Sequence, residues 1–207
     1  MYDFLRKISN TPYSIFGIFL FQIVLLMGTQ FTAWPEMLVY PYLLDNGFRL
    51  YGEIVHPYLP LVPYMLWVVL DRANFSPYAL WVFANFYQLV ISSLFLILAR
   101  RILPNVSLVI PFLLYVVLHI VWEGNGFWFD TAAILFILGA FYFFLRYREN
   151  ATLKNVLFIG LLIGISIIIK QTAFWYAIVT ILLIMWHGLH SKSKRANTVS
   201  QIVVFRL

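Results

Sequence analysis

Six apolar stretches set the terms for this chain, at residues 13–32, 77–99, 106–122, 131–145, 156–169 and 174–186. The first three are as long as the hydrocarbon core of a bilayer demands of a helix and the last three somewhat shorter, and none alternates as half-buried strands do. With 63% of residues hydrophobic and only 11% charged, a water-soluble fold of 207 residues could not cover this much apolar surface. Lipid cannot satisfy backbone groups, so the spans are expected to be helices. The fold class predicted is all-α, a transmembrane bundle of about six spans forming one membrane domain over 1–207.

Charge placement sets the expected orientation. A seventh apolar segment, 57–70, is ambiguous between a short span and an interfacial helix. Left outside, it places Arg6, Lys7, Arg100, Arg101, Arg146, Arg148, Lys154, Lys192, Lys194 and Arg195 in the cytoplasm, with only Arg49, Arg72 and Lys170 outside. Made a span, it reverses the balance, which the positive-inside rule disfavours. Pro57, Pro60 and Pro63 also suit a bent interfacial helix better than a span. The expectation is a multi-pass protein of the cell membrane with a cytoplasmic N-terminus. Residues 13–32 are read as an uncleaved first span, since no small-residue cleavage site follows them. The net charge of +6 lies in short clusters at the ends of apolar runs, a topology signal that argues against a nucleic-acid partner. The absence of cysteine excludes disulfides and thiolate metal sites.

The acids were not used in that argument, yet Glu36, Asp45, Glu53, Asp71, Glu123 and Asp130 all fall on the outer side. Two outer segments carry them. In the first, 33–76, Pro35 and Glu36 suit a helix start and Asn46-Gly47 a helix end. Segments 34–47 and 49–61 are expected to form two interfacial helices that present acids and His56 to the membrane boundary. The second outer loop, 122–130, is short, with Glu123 and Asp130 flanking two glycines that allow the backbone to fold closely. Lys170 stands at the tip of a hairpin between the last two spans. Each residue also has a plain alternative: Glu36 favouring a helix dipole, Asp130 capping the fourth span, Lys170 snorkelling to headgroups, His56 as loop polarity. Trp34 and Tyr51 read as interface anchors, and Gly160-x-x-x-Gly164 as a helix-packing motif.

The layout resembles the membrane-embedded GT-C glycosyltransferases, the superfamily of protein O-mannosyltransferases and lipid A aminoarabinose transferases. The resemblance lies in Glu36 just after the first span, in the Gly47–Tyr51 to His56–Leu61 stretch, and in the Gly160–Gly164 to Lys170-Gln171-Thr172 hairpin. It departs at Pro35, where many members carry the first of two acids. Members are typically more than twice as long, so the chain is expected to match the N-terminal part of such a module. What the resemblance implies is sugar transfer from a polyprenyl-phosphate-linked donor to an acceptor at the outer face. Glu36 and Asp130 would then be catalytic, with Lys170, Arg49, Glu53, His56 and Glu123 binding substrate. The departing phosphate needs positive charge, or a divalent cation held by carboxylates, and the sequence identifies no cofactor with certainty. A transporter or flippase is the chief alternative, but charged groups at mid-membrane, usual in such proteins, are missing from the spans. A non-catalytic truncated module is the third reading.

Overall fold

In a computed structural model the described residues are 12–54, 56–104, 106–123 and 125–188, excluding the side chains of residue 12 and of 121–123 and 125. They form eight α-helices in chain order: α1 Pro12–Gly28, α2 Glu36–Asp45, α3 Leu61–Asp71, α4 Pro77–Ile102, α5 Val109–Glu123, α6 Phe129–Glu149, α7 Leu153–Ile169, and α8 over 174–188 after a 3-10 turn at Gln171–Ala173. Two short strands, β1 Phe31–Thr32 and β2 Asn125–Gly126, pair in parallel. Three helical stretches are long and apolar enough to cross a membrane: Pro77–Ile102, Phe129–Glu149 and Gln171–Gly188. The apolar helices at Tyr13–Gly28, Val109–Ile120 and Leu153–Ile169 occupy the other three expected positions but are shorter.

Packing follows where small or complementary side chains face each other. The α6–α7 hairpin closes on Ala140, Phe144, Ile159 and Ile163, and a Cβ on Gly139 would lie 3.3 Å from Leu162. This close approach is not the one expected. A Cβ on Gly160 or Gly164 would meet nothing within 4 Å, so the Gly-x-x-x-Gly face of α7 packs against no other described element. Helix α1 lies on α5 through Ile18, Leu26, Phe112, Val116 and Ile120. The buried Gln22 amide joins α1 to α4 by donating to Ser92 Oγ at 2.8 Å. Interhelical hydrogen bonds of this kind are a normal adhesive where apolar burial gives no preference between protein and lipid.

One end of the bundle carries an extra layer. Tyr87, ten residues into α4, donates its hydroxyl to the Ala132 carbonyl near the start of α6, at 2.7 Å. At 1.5 Å rise per residue, α4 therefore extends about 10 Å beyond α6 at that end. The short helices α2 and α3 pack together beside this projection, with Met37, Val62, Leu66, Leu70, Leu80 and Ala84 in one core cluster. Eleven residues of α3 measure about 16 Å, too little to cross a bilayer. Of the two helices expected in this segment, the first forms as α2 and ends at Asn46, with Gly47 at φ 86°. The second does not form over 49–61. Tyr51 sits at φ 67° there and Leu50 bridges to Ile54, while Pro57 and Pro60 disfavour helical geometry in the residues before them. The helix starts only at Leu61.

Candidate functional site

The site grows out of the strand pair. β1 follows α1 and β2 follows α5, and their register sets Phe31 beside Asn125 and Thr32 beside Gly126. A glycine suits position 126, since a Cβ there would approach the Thr32 carbonyl oxygen to 3.1 Å and require the neighbouring strand to give by a few tenths of an ångström. Gln88 of α4 donates to the Gly126 carbonyl at 3.1 Å and fixes the strand to the bundle. Two residues beyond each strand stand Trp34 and Trp128, their rings 5.0 Å apart. With Gly126, Asp130 and Thr131 they line a cleft of about 250 Å³.

Asp130 lies in the first turn of α6, two residues beyond the N-cap Trp128. Both its oxygens accept from Lys170 Nζ, at 2.5 and 2.6 Å. Lys170 leaves the end of α7 in an extended conformation that turns its side chain toward α6. Its ammonium also stands 6.0 Å over the Tyr58 ring, a favourable cation–π position. Gln171 donates to the Pro57 carbonyl at 3.3 Å and ties this turn to the loop before α3.

His56 is enclosed between these parts. Its ring lies 4.7 Å from Tyr40, 6.0 Å from Tyr58, 6.1 Å from Tyr51 and 5.6 Å from Phe129. It is buried, and neither ring nitrogen has a fully formed hydrogen bond. Burial pulls its pKa below the ordinary 6.5, with a backbone group of Leu59 offsetting part of the effect. The imidazole is therefore neutral at pH 7 and able to accept a proton. Glu36 opens α2, with one carboxylate oxygen enclosed and unpartnered. The Tyr40 phenol links the two: burial raises its pKa first, and the charges of Glu36 and Tyr58 raise it further.

The residues singled out from sequence separate into three groups. Asp130 and Lys170 are in direct contact, and His56 and Glu36 adjoin them through Tyr40 and Tyr58. Arg49 and Glu53 instead close a local turn, the Arg49 backbone N–H donating to Glu53 Oε2 at 2.9 Å. Both side chains are exposed, and among the described residues neither is hydrogen-bonded to Asp130, Lys170 or His56. Glu123 ends α5, but its side chain is outside the described residues. Tyr51 does more than anchor an interface, since its hydroxyl donates to the Tyr58 carbonyl at 2.5 Å. Tyr58 and Gln171, which lie in the stretches that carry the resemblance, complete the site together with Tyr40, Trp128 and Phe129, which had no sequence signal of their own. Among the described residues no three of His, Asp and Glu converge as metal ligands would. No protein-family model, curated protein or solved structure matches this chain.

Proposed function

We propose that the chain crosses the cell membrane six times, with its N-terminus cytoplasmic and the Asp130–Lys170 end outside, and transfers a sugar there from a polyprenyl-phosphate donor. The orientation is supported by Arg100, Arg101, Arg146, Arg148 and Lys154, all at the opposite end of the bundle. The shorter helices α1, α5 and α7 reach across with their flanking residues and modest local thinning of the bilayer. The chemistry rests on one observation above the others: an ammonium held by both oxygens of a carboxylate, linked through Tyr58 to a neutral His56 and through Tyr40 to Glu36, one of whose oxygens is enclosed and unpartnered.

In this reading the acceptor hydroxyl attacks the anomeric carbon of the sugar. Glu36 takes the hydroxyl proton as the bond to the acceptor oxygen forms. The bond from the anomeric carbon to the phosphate oxygen breaks, and polyprenyl phosphate leaves with the electron pair. Lys170 stabilises the negative charge on that phosphate, and Asp130 keeps its ammonium in place. The tryptophans and tyrosines around the cleft offer flat apolar faces to the sugar ring.

The test is label transfer from a radiolabelled polyprenyl-phosphate sugar pool in membranes containing the chain, with Glu36→Gln and Glu53→Gln at equal expression. Wild type and Glu53→Gln should transfer label, and Glu36→Gln should lose at least about 100-fold, the usual worth of a positioned acid–base group. An inactive wild-type chain, or a fully active Glu36→Gln, refutes the proposal.

A further inference from the structure

The opposite end of the α6–α7 hairpin holds a second site of different character. Arg146, Glu149, Asn150, Thr152, Lys154 and Phe158 are among the residues lining a cleft of about 380 Å³ where α6 turns into α7. Arg146 and Lys154 form no ion pair among the described residues. The acid in this cleft does not cancel them, because both Glu149 oxygens are engaged by the Arg101 guanidinium, Nε reaching Oε1 at 3.0 Å. The turn itself is fixed, with the Asn155 amide donating to the Asn150 carbonyl at 2.9 Å.

The cleft continues into an apolar groove of about 520 Å³ along α7, lined by Leu153, Leu157 and Leu161, with Lys154 and Phe158 common to both. Gly160 and Gly164 follow at helical spacing on the same face and leave it open. A cationic head pocket thus adjoins an open apolar strip along one face of α7.

We propose that this joined site binds one anionic phospholipid of the surrounding leaflet, its phosphate between Arg146 and Lys154 and an acyl chain along Leu157 and Leu161. Charge complementarity selects the headgroup, since Arg146 and Lys154 leave the cleft with a cationic excess once the Glu149 carboxylate, which also feels Arg146, is held by Arg101. The groove favours a lipid over a free anion, because inorganic phosphate would leave it unfilled. Basic pockets at the cytoplasmic ends of membrane helices attract anionic lipids at about 1 kcal/mol per charge, so two charges correspond to about a 30-fold preference. The inference rests on the membrane reading but not on sugar transfer, whose residues lie at the other end.

Native mass spectrometry of the full chain, purified in detergent and titrated with phosphatidylglycerol, phosphatidylcholine or inorganic phosphate, tests it. One phosphatidylglycerol should bind about 30-fold more tightly than phosphatidylcholine and survive excess phosphate. Arg146→Gln with Lys154→Gln should abolish that preference, while Arg100→Gln with Arg148→Gln, equal in charge and at the same end, should retain it. Equal binding of the two lipids, displacement by phosphate, or equal loss in both double variants overturns the proposal. If the first double variant does not fold, the wild-type comparison of the three ligands decides alone. Extraction of the chain from cell membranes by alkaline carbonate without detergent would count against the membrane reading, separately from these outcomes.

Discussion

Adding a single methyl group at two glycines should change stability in opposite directions. At Gly126 the new Cβ would sit 3.1 Å from the Thr32 carbonyl oxygen and 3.7 Å from Thr32 Cβ. The nearest atom is backbone in a paired strand, followed two residues later by Trp34-Pro35, so it cannot rotate away. Moving β2 instead would stretch the Gln88 bond to the Gly126 carbonyl. Overpacking of this kind costs about 1–3 kcal/mol. At Gly160, inside α7, a Cβ meets nothing within 4 Å. There alanine removes a flexible residue from a helix interior and should gain about 0.5–1 kcal/mol. Gly126→Ala and Gly160→Ala, unfolded side by side in mixed micelles by increasing denaturing detergent, should move their midpoints to opposite sides of wild type. If Gly126→Ala is neutral while Gly160→Ala is destabilised by more than about 1 kcal/mol, the tight contact lies on the Gly-x-x-x-Gly face and the strand pairing is wrong.

Other outcomes follow from the site. A double-mutant cycle of Asp130→Asn and Lys170→Gln should give only about 0.2–1 kcal/mol of coupling in stability, since Asp130 is 55% exposed. Sugar transfer should nevertheless fall far more in Lys170→Gln than that coupling accounts for, and proportionate losses would reduce Lys170 to a structural role. His56 titrates lower folded than unfolded, so in that window the unfolded state binds the extra proton. Its contribution is thus complete above about pH 6.5 and declines as pH falls toward the folded value. Melting between pH 8 and pH 5 should show this decline in wild type and a smaller one in His56→Phe; identical profiles would remove His56 as its source.

Much of the architecture could be read from hydropathy, because a chain of this composition has few ways to hide its apolar runs. The helices lie where those runs lie, and the end of α2 follows from Asn46-Gly47, whose glycine takes the positive φ a helix stop requires. Residues 49–61 were harder, since aromatic and apolar residues suggest a helix while Pro57 and Pro60 oppose one, and the prolines win. Gly160 and Gly164 carry a packing spacing without a packing partner, and Gly139 makes the close approach instead. Spacing alone does not say which helix face meets a neighbour. The site shows the same limit. Asp130 and Lys170 each had an adequate local explanation, and only the fold reveals that the two residues, 40 positions apart, form an ion pair. Of the ring around His56, Tyr51 and Tyr58 lie in the stretch that carries the resemblance, while Tyr40 and Phe129 come from outside it and belong to no linear motif.

The parallel pairing of Phe31–Thr32 with Asn125–Gly126 also imposes an order in time. The two strands are 94 residues apart (125 minus 31). Ribosomes add about 5–20 residues per second, so β1 waits roughly 5–19 s after its own synthesis before its partner exists. Throughout that interval the residues leading to Trp34 and Glu36 have an open edge and no cleft to line. Lys170 arrives 40 residues after Asp130, adding a further 2–8 s or so at the same rate. The aromatic cluster and its ion pair are therefore late events in biogenesis, completed after helices α1 to α6 have been made. A ribosome stalled before residue 125 would hold an N-terminal helix with an unpaired strand, a state that proteases or chaperones would meet first.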